Sequence, residues 1–473
     1  MTDTSWIEID LLNLRRNVSI WRNMLRRPSI GAASARPSPR LCAIIKADAY
    51  GMGAGELARC YDEAGVDMLA VYSPGQANEI LQHPIRKPIL VLMPVRTKPQ
   101  TRELREAMLS GQLHLSIDSP DQLIAVQAIG AATGARIPIH LSIDTGMSRG
   151  GLSAEQFASI LHRLTKLGNV RLSGVWTHFA AADRDGAFTQ QQYDRFQDII
   201  RQNQARISSD VILHAAATHA ALRHPRYHLD MVRIGLGLLG YGAPSRLTLA
   251  SPVGARPFRP VTPFDLAQEE VLNDEELDRF CTRTGEVEPL DGVDGHDCSV
   301  RGAAGLMPAV RWRSRVVHVR RFPAGSAVGY GCTAQLARES YLGIVPVGYA
   351  DGYPLALSNK GVVTIVGRRG VGSLTGELQT APVVGRVNMD QIIVDLTDLS
   401  ARQTAPLAQI GDTVELISPD PASPCALPKL ASLADSSPYE MLCRISPRVP
   451  RLYVSVAPSP VVVSSERMRV TAA

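Results

Sequence analysis

Eight short apolar runs alternate with segments of helical periodicity over about the first 240 residues, and this alternation limits the possible folds more than any other feature. The runs are almost continuous in Val, Ile, Leu and Ala, which is typical of parallel strands buried on both faces. Their number and spacing predict a (β/α)8 barrel, although a doubly wound open sheet would give similar local patterns. The predicted strands cover residues 41–45, 67–72, 88–93, 113–117, 137–143, 170–179, 211–216 and 231–236.

The last third of the chain predicts a second, mostly β domain. Its strand-like runs are short and are divided by Gly, Pro, Asn and Asp. A stretch between the two regions is Pro-rich, then acidic, then rich in Gly and Asp, and we expect it to be a surface excursion with one short helix at 265–280. A second excursion is predicted at 26–40. The predicted organisation is a barrel domain over 1–250, the inserted excursion over 251–306 and a β domain over 307–473.

Composition excludes several classes of protein. The chain has 473 residues, of which 45% are hydrophobic and 20% charged, as in ordinary globular proteins. The net charge of +5 comes from scattered basic residues, so no nucleic-acid partner is indicated. No apolar run reaches the roughly 18 residues that a membrane span needs, and the N-terminus lacks the pattern of a signal peptide. The seven cysteines form no C-x-x-C pair, so neither a disulfide framework nor a metal site is indicated, and we expect a soluble cytoplasmic enzyme.

Lys46 directly follows the first predicted barrel strand. The C-terminal ends of barrel strands form the active-site face. An amine that is partly withdrawn from water there has a lowered pKa and is a better nucleophile. The alternative is a structural lysine whose amine reaches solvent at the strand end, and the residue alone does not distinguish the two.

The run Gly235–Gly240 reads G-L-G-L-L-G, which formally matches a dinucleotide-binding fingerprint. It follows the eighth strand rather than the first, and no suitable acidic residue lies about 20 residues further on, so a nicotinamide cofactor is not indicated. Loops after the seventh and eighth barrel strands commonly bind phosphate through backbone N–H groups. Thr218, Gly235 and Leu236 lie in those loops and predict a phosphate site.

Further polar residues lie at or just after the ends of other predicted barrel strands. Arg149, His178 and Arg233 are expected on the same rim as Lys46, and together they indicate a site, although each alone could belong to a structural ion pair. In the β domain, Tyr330 and Tyr349 are flanked by glycine, which contributes no packing. A phenol in such a position is expected to be exposed or functional, and it needs cationic neighbours to act as a base.

In combination these stretches resemble the alanine racemases, which are pyridoxal-phosphate (PLP) enzymes built from a barrel and a β domain. The resemblance follows the order of the family's motifs and covers nearly the whole chain except the two excursions. The matching stretches are AIIKADAYGMG, IDTGMSRGGL, GVWTHFAAAD, RIGLGLLGYG, VGYG, IVPVGYADGYP, VGRVNMDQI and YEMLCRISPRVPRLYV.

The resemblance implies a two-base racemisation of alanine on PLP, which would supply D-alanine for peptidoglycan. Lys46 would hold the cofactor covalently and handle the α-proton of the D-enantiomer. Tyr330 would handle the α-proton of the L-enantiomer from the partner subunit of a head-to-tail homodimer. Two bases on opposite faces of a flat cofactor can remove a proton from one side and return it to the other.

The resemblance also assigns roles around these two bases. Arg233 would face the pyridine nitrogen and keep it unprotonated, because a guanidinium has a very high pKa. His178 would bridge Arg233 and Tyr330, and Arg149 would contact the cofactor's phenolic oxygen and the substrate carboxylate. The phosphate would be held by Tyr50, Thr218, Gly235, Leu236 and Tyr453. Met389 would contact substrate from the partner, while Tyr349, Asp390, Asp183 and Arg386 would form or support the entrance.

The chain departs from the family pattern at four positions. Ser142 replaces a lysine that is carbamylated in many members, so Arg149 must be oriented in another way. Ala217 replaces an asparagine before Thr218, and Leu355 replaces an arginine at the entrance. Asn388 stands where cysteine is frequent. None of these changes removes a base.

Four alternatives to this reading of the residues remain open. A broader amino-acid racemase for serine or basic substrates would use the same scaffold. A barrel-type PLP decarboxylase would pair the pyridine nitrogen with an acidic residue rather than Arg233 and would need a catalytic cysteine motif, which is not found. A non-catalytic PLP carrier would lack the β domain that carries Tyr330. A catalytically silent regulator on the same scaffold is the fourth.

Overall fold

The computed structural model describes residues 4–26, 37–242, 305–366, 379–401 and 408–455. Nearly all of the predicted excursion at 251–306, including its helix at 265–280, lies outside the described residues. The same holds for most of the predicted excursion at 26–40. Among the described residues, no helix is both long and apolar enough to cross a membrane.

The first region forms a closed barrel of eight parallel strands, as predicted. Each predicted apolar run overlaps one strand, and the last strand pairs with the first through Arg40↔Met231 and Ala43↔Ile234. This pairing of the last strand with the first shows that the sheet is a closed barrel and not an open doubly wound sheet. The strands in barrel order are β2 (Arg40–Ile44), β3 (Met68–Val71), β4 (Ile89–Val91), β5 (Leu113–Ile117), β6 (Ile137–Ser142), β7 (Val170–Trp176), β8 (Ile212–Ala217) and β9 (Met231–Ile234).

Helices connect successive barrel strands. The side chains of Ser73, Thr101, Ser119 and Ser153 each accept a hydrogen bond from the backbone N–H three residues later, which is the N-capping that Ser and Thr favour at the start of a helix. The helices are α1 (Leu11–Arg26), α2 (Lys46–Gly51), α3 (Ala54–Glu63), α4 (Pro74–Leu81), α5 (Arg102–Leu109), α6 (Pro120–Thr133), α7 (Ala154–Leu164), α8 (Gly186–Gln202) and α9 (Thr218–Arg223).

The second domain is mostly β, as predicted, with short helices α10 (Thr397–Ala401), α11 (Leu427–Leu433) and α12 (Pro438–Cys443). A six-stranded sheet has the order β16-β15-β18-β10-β1-β19, and smaller sheets have the orders β11-β14-β17 and β12-β13. Its strands are β1 (Ser5–Asp10), β10 (Val310–Arg315), β11 (His318–Phe322), β12 (Ala327–Val328), β13 (Ala334–Gln335), β14 (Ser340–Val345), β15 (Val362–Val366), β16 (Gln379–Pro382), β17 (Ile392–Asp395), β18 (Thr413–Ile417) and β19 (Arg451–Val454).

The prediction that the barrel domain begins at residue 1 is wrong, because strand β1 belongs to the sheet of the second domain. It pairs antiparallel with β10 and parallel with β19. Ile7 and Ile9 are fully buried while Glu8 between them is half-buried. This alternation is that of a strand with one buried face, whereas a barrel strand is buried on both. The barrel therefore begins after this strand, and the chain enters it through α1.

Trp312 on β10 offers a test of this sheet. Its ring is buried, packs edge-on against Tyr353 and donates from Nε1 to Ser5 Oγ of β1 at 2.8 Å. Trp312→Ala should lower the free energy of unfolding by about 3–5 kcal/mol, since it leaves a large cavity and removes a donor to the Ser5 hydroxyl. Urea unfolding followed by circular dichroism measures the change.

Trp6→Ala is the matched control, because Trp6 lies on the paired strand β1 with its ring half-buried against the Arg315 guanidinium. This substitution should lower the free energy of unfolding by about 1 kcal/mol, as substitutions at partly exposed positions do. Equal losses for the two variants would contradict the burial of β1 in this sheet.

Candidate active site

A cavity of about 630 Å³ opens at the C-terminal ends of the barrel strands. Parallel strands direct the loops that follow them to one rim, so residues that are distant in sequence meet there. The cavity brings together most of the site residues predicted in the barrel. Its walls include Lys46, Tyr50, Arg149, His178, Asp183, Thr218, Arg233 and Gly235.

Lys46 follows β2 and begins α2, which is a left-handed turn. The φ angles of Ala47, Asp48, Ala49 and Tyr50 lie between 52° and 61°. Non-glycine residues pay a steric cost in this conformation, and such strain is concentrated at functional sites. The turn ends where Asp48 Oδ1 accepts from the backbone N–H of Ala54 at 2.6 Å. It fixes the position from which the Lys46 side chain enters the cavity.

The environment of Lys46 favours its neutral amine. Burial lowers the pKa of Lys46, and the positive charges of Arg149 and Arg233 lower it further. A neutral amine has the free electron pair that an attack on a carbonyl carbon requires. This supports the prediction of a nucleophilic lysine rather than a structural one.

Arg233 is a buried guanidinium with only 3% of its surface exposed. Nη1 donates to His214 Nδ1 at 2.9 Å, and Nη2 donates to the carbonyls of Thr177 at 2.9 Å and Ala215 at 2.8 Å. The guanidinium also lies over the Trp176 ring, 4.9 Å from its centroid. Burial lowers the pKa of Arg233 to about 10, so it still carries its charge at neutral pH.

His178 is held by the same guanidinium. Arg233 Nη2 lies 3.1 Å from His178 Nδ1. Because arginine can only donate, His178 Nδ1 is the acceptor and its proton is on Nε2. Burial, followed by the charges of Arg233, Arg149 and Lys46, lowers the pKa of His178 to about 3. His178 is therefore a neutral ring that can donate from Nε2 into the cavity.

The opposite wall has the features of a phosphate site. Thr218 Oγ1 lies 3.4 Å from the backbone nitrogens of both Gly235 and Gly237. A Cβ at position 235 would lie 2.0 Å from the Tyr50 hydroxyl, so only glycine lets that phenol and the backbone share this wall. Leu236 has a buried side chain, and any contribution it makes must come from its backbone.

Several predicted residues do not line this cavity in the single chain. Tyr453 donates to the backbone carbonyl of Met52 at 3.1 Å. Tyr330, Tyr349 and Met389 lie on the second domain with 72%, 47% and 54% of their surfaces exposed. Arg386, Asp390 and Leu355 occupy the same group of loops, and Leu355 is exposed as well.

Hydrogen bonds connect the loops that carry Tyr349 and Met389. The backbone N–H groups of Tyr349 and Ala350 donate to the carbonyls of Asn388 and Met389, both at 3.0 Å. Arg448 then ties the group to the C-terminal segment, donating to Asp351 Oδ1 and Asp390 Oδ1 at 2.7 Å each. Asp390 thus supports the loop of Met389. We call the exposed side chains of Tyr330, Tyr349, Leu355 and Met389 the tyrosine patch.

The sequence prediction missed three residues, of which Trp176 and Tyr439 line the cavity and His214 is buried beside Arg233. Trp176 and His214 contact Arg233, and Tyr439 packs against Tyr50 with ring centroids 5.7 Å apart. His214 offered a signal, since it is a polar residue inside an apolar strand. Tyr439 offered little, because it reaches the barrel from the C-terminal part of the chain.

Comparison with known proteins decides the family. The sequence profile of the alanine racemase N-terminal domain matches residues 9–243, and that of the alanine racemase C-terminal domain matches residues 309–453. The chain belongs to the alanine racemase family. The resemblance and the fold predicted from the sequence are thereby confirmed.

Individual relatives span the chain almost completely. The alanine racemase of Symbiobacterium thermophilum is 32% identical over 95% of this chain and 97% of its own length. That of Halothermothrix orenii is 30% identical over 96% of this chain and 97% of its own length. The crystal structure of alanine racemase from Streptomyces lavendulae, a D-cycloserine producer, superposes with a TM-score of 0.73 at 27% identity, covering 97% of this chain and 98% of that chain.

The electrostatic origin of the Lys46 reactivity can be tested directly. When the rate at which a neutral reagent acylates the amine is plotted against pH, the curve should have its inflection at a lower pH than for an ordinary lysine. Arg149→Gln removes a positive charge, so the inflection should move to higher pH. Mass spectrometry of the labelled Lys46 peptide across a pH series measures it.

Arg201→Gln is the control, because Arg201 is exposed on α8 and pairs with Asp198. An inflection that stays in place in the Arg149 variant, or moves equally in both variants, would contradict this explanation.

Proposed function

We propose that this protein interconverts L-alanine and D-alanine with PLP as its cofactor. The observation that carries the proposal is the arrangement of three groups on one cavity. These are the lysine with a lowered pKa, a phosphate cradle and a buried guanidinium. A PLP molecule needs an amine for its aldehyde, donors for its phosphate and a partner for its ring nitrogen.

Each part of the cavity has a role toward the cofactor. Lys46 would hold PLP covalently, and Tyr50, Thr218 and the backbone at Gly235 would bind its phosphate. Arg233 would donate to the pyridine nitrogen. When bound, PLP supplies delocalisation of the charge that develops at the substrate Cα after proton removal. Because Arg233 holds its own proton, the ring nitrogen would stay unprotonated, which limits that delocalisation and disfavours side reactions.

The second base is proposed to be Tyr330 of the partner subunit. In its own chain Tyr330 lies outside the cavity, exposed, within the tyrosine patch. Large exposed apolar groups that cluster on one surface indicate an interface. In a head-to-tail dimer the tyrosine patch of one subunit would cover the barrel cavity of the other. His178 Nε2–H would then donate to the phenol oxygen and stabilise its ionised form.

Substrate selection follows from the same arrangement. Arg149, on the exposed rim of the cavity, would bind the substrate carboxylate. Tyr349 and Met389 from the partner would limit the space left for the side chain, which favours alanine. Leu355 is less polar than the arginine of the family pattern and Ala217 is smaller than its asparagine, and both would loosen the pocket.

Mixing two inactive variants tests the shared site. Lys46→Ala and Tyr330→Phe should each abolish racemisation, because each removes one of the two bases. When equal amounts of both variants are dissociated and reassociated, about half of the dimers are mixed. In each mixed dimer, one of the two sites has both Lys46 and Tyr330. Activity should therefore return to about a quarter of that of the unmodified enzyme. Chiral chromatography of L-alanine incubated with added PLP measures it.

The matched control is Tyr341→Phe mixed with Lys46→Ala, since Tyr341 is a half-buried phenol on β14 in the same domain. Tyr341→Phe alone should remain active. A Tyr330→Phe enzyme with full activity, or no recovery from a mixture shown to contain mixed dimers, would contradict the assignment.

A panel of L-alanine, L-serine, L-lysine and L-arginine tests the substrate. Alanine should give the highest kcat/KM, because Tyr349 and Met389 leave little room beyond a methyl group. The alternative is a broader racemase, which a pocket loosened by Leu355 and Ala217 would favour. Faster racemisation of lysine than of alanine would establish that alternative.

A further inference from the structure

Three buried histidines form a row inside the barrel. His114 on β5, His140 on β6 and His214 on β8 are at most 6% exposed. His114 Nδ1 lies 2.9 Å from His140 Nε2, and His140 Nδ1 lies 2.9 Å from His214 Nε2. His214 Nδ1 in turn accepts from Arg233 at 2.9 Å. The row therefore begins at the guanidinium of the proposed cofactor site and runs into the barrel.

The protonation state of each ring follows from the arginine. A guanidinium has no acceptor, so His214 Nδ1 carries no proton and its hydrogen is on Nε2. His214 Nε2 then donates to His140 Nδ1, which places the hydrogen of His140 on Nε2 as well. The same step places the hydrogen of His114 on Nε2. The backbone of Gly111 raises the pKa of His114, as an accepting carbonyl does, and it ends the row.

The three rings are neutral. Burial lowers the pKa of His140 and His214 well below the usual range, and nearby positive charges, including that of Arg233, lower it further. Burial also lowers the pKa of His114 to about 4. At neutral pH every N–H in the row therefore points away from Arg233, and every free ring nitrogen points toward it.

The barrel is built to admit this row. Strand β7 lies between β6 and β8, yet His140 reaches His214 across it. This is possible because β7 has a glycine at that level. A Cβ at Gly174 would lie 2.2 Å from His140 Nδ1 and would clash with the imidazole ring.

We infer that His140 and His114 are positioning residues for Arg233. By accepting the Nε2 hydrogen of His214, His140 and, through it, His114 hold the His214 ring in the orientation that presents Nδ1 to the guanidinium, and so fix the direction of the remaining donors of Arg233. This inference rests on the proposed function for its catalytic consequence. The row does not transfer protons, because reversing it would require Arg233 to accept a hydrogen bond.

Neutron diffraction from holoenzyme crystals grown in D2O tests the tautomers without any substitution. Deuterium is expected on Nε2 of all three rings and on Nδ1 of none. Deuterium on His214 Nδ1, or on both nitrogens of any of the three, would overturn the inference.

Two substitutions of His140 test the consequence for Arg233. His140→Leu removes the acceptor for His214, whereas His140→Asn keeps an oxygen close to the position of Nδ1. His140→Leu should lower kcat about tenfold or more, while His140→Asn should stay within about threefold of the unmodified enzyme. KM for alanine should change little in either variant, since His140 is buried away from substrate. Rates are expressed per bound PLP, measured from the visible absorbance of the cofactor.

His228→Leu is the control for burial alone. His228 is a buried histidine outside the row, with Nε2 2.8 Å from the Ala221 carbonyl. It should lose stability but keep kcat. Equal kcat values for His140→Leu and the unmodified enzyme, or equal losses in the Leu and Asn variants, would refute the positioning role. If the unmodified enzyme did not racemise alanine, the proposed function would fail, while the neutron result would still decide the tautomers.

Discussion

The charge of Arg233 inside the barrel is the constraint on which the site depends. A buried ion without partners is strongly unfavourable, so a buried guanidinium must be surrounded by acceptors. Here they come from the ends of β7 and β8, through the carbonyls of Thr177 and Ala215 and a ring nitrogen of His214. These acceptors and His178 Nδ1 surround Nη1 and Nη2 and share their hydrogens, which holds the guanidinium in one orientation. That orientation also sets the tautomer of His178 at the cavity.

Under the proposed function, the same chain supplies two incomplete halves of a site. The barrel contributes an amine, a phosphate cradle and a buried cation, all on one cavity. The β domain contributes exposed phenols on loops that are bound to one another and to the C-terminal segment by Arg448. Under the proposed function, a two-fold dimer would bring the exposed tyrosine of one subunit to the barrel cavity of the other. The position of β1 in the second sheet joins the two domains before the barrel begins.

Much of the fold could be predicted because its signals are local. The eight barrel strands are nearly continuous apolar runs, and the helices between them carry N-caps at Ser and Thr. The closure of the barrel and the place of β1 depend on pairing between distant strands, such as β2 with β9 and β1 with β10. No local pattern contains that information. The assignment of 1–250 to the barrel failed at its first strand for this reason.

The site was predicted unevenly, again for physical reasons. Lys46, His178 and Arg233 end apolar strands, and their positions follow from the geometry of a barrel. The left-handed turn after Lys46 could not be expected, because Ala47 to Tyr50 are all non-glycine residues. The row of His114, His140 and His214 is invisible in sequence, since its members come from three strands and meet only across the glycine of a fourth. Tyr439 enters the cavity from the second domain.

The most direct test of two bases on opposite faces is the origin of the hydrogen in the product. L-alanine with protium at Cα is incubated with the holoenzyme and PLP in D2O. The D-alanine formed early is separated, and its deuterium content is measured by mass spectrometry. With two bases, the hydrogen removed by one is not the hydrogen delivered by the other, so early D-alanine should carry deuterium at Cα. D-alanine that retains the protium of its substrate would mean that one base serves both faces, and the proposed division of labour between Lys46 and Tyr330 would be wrong.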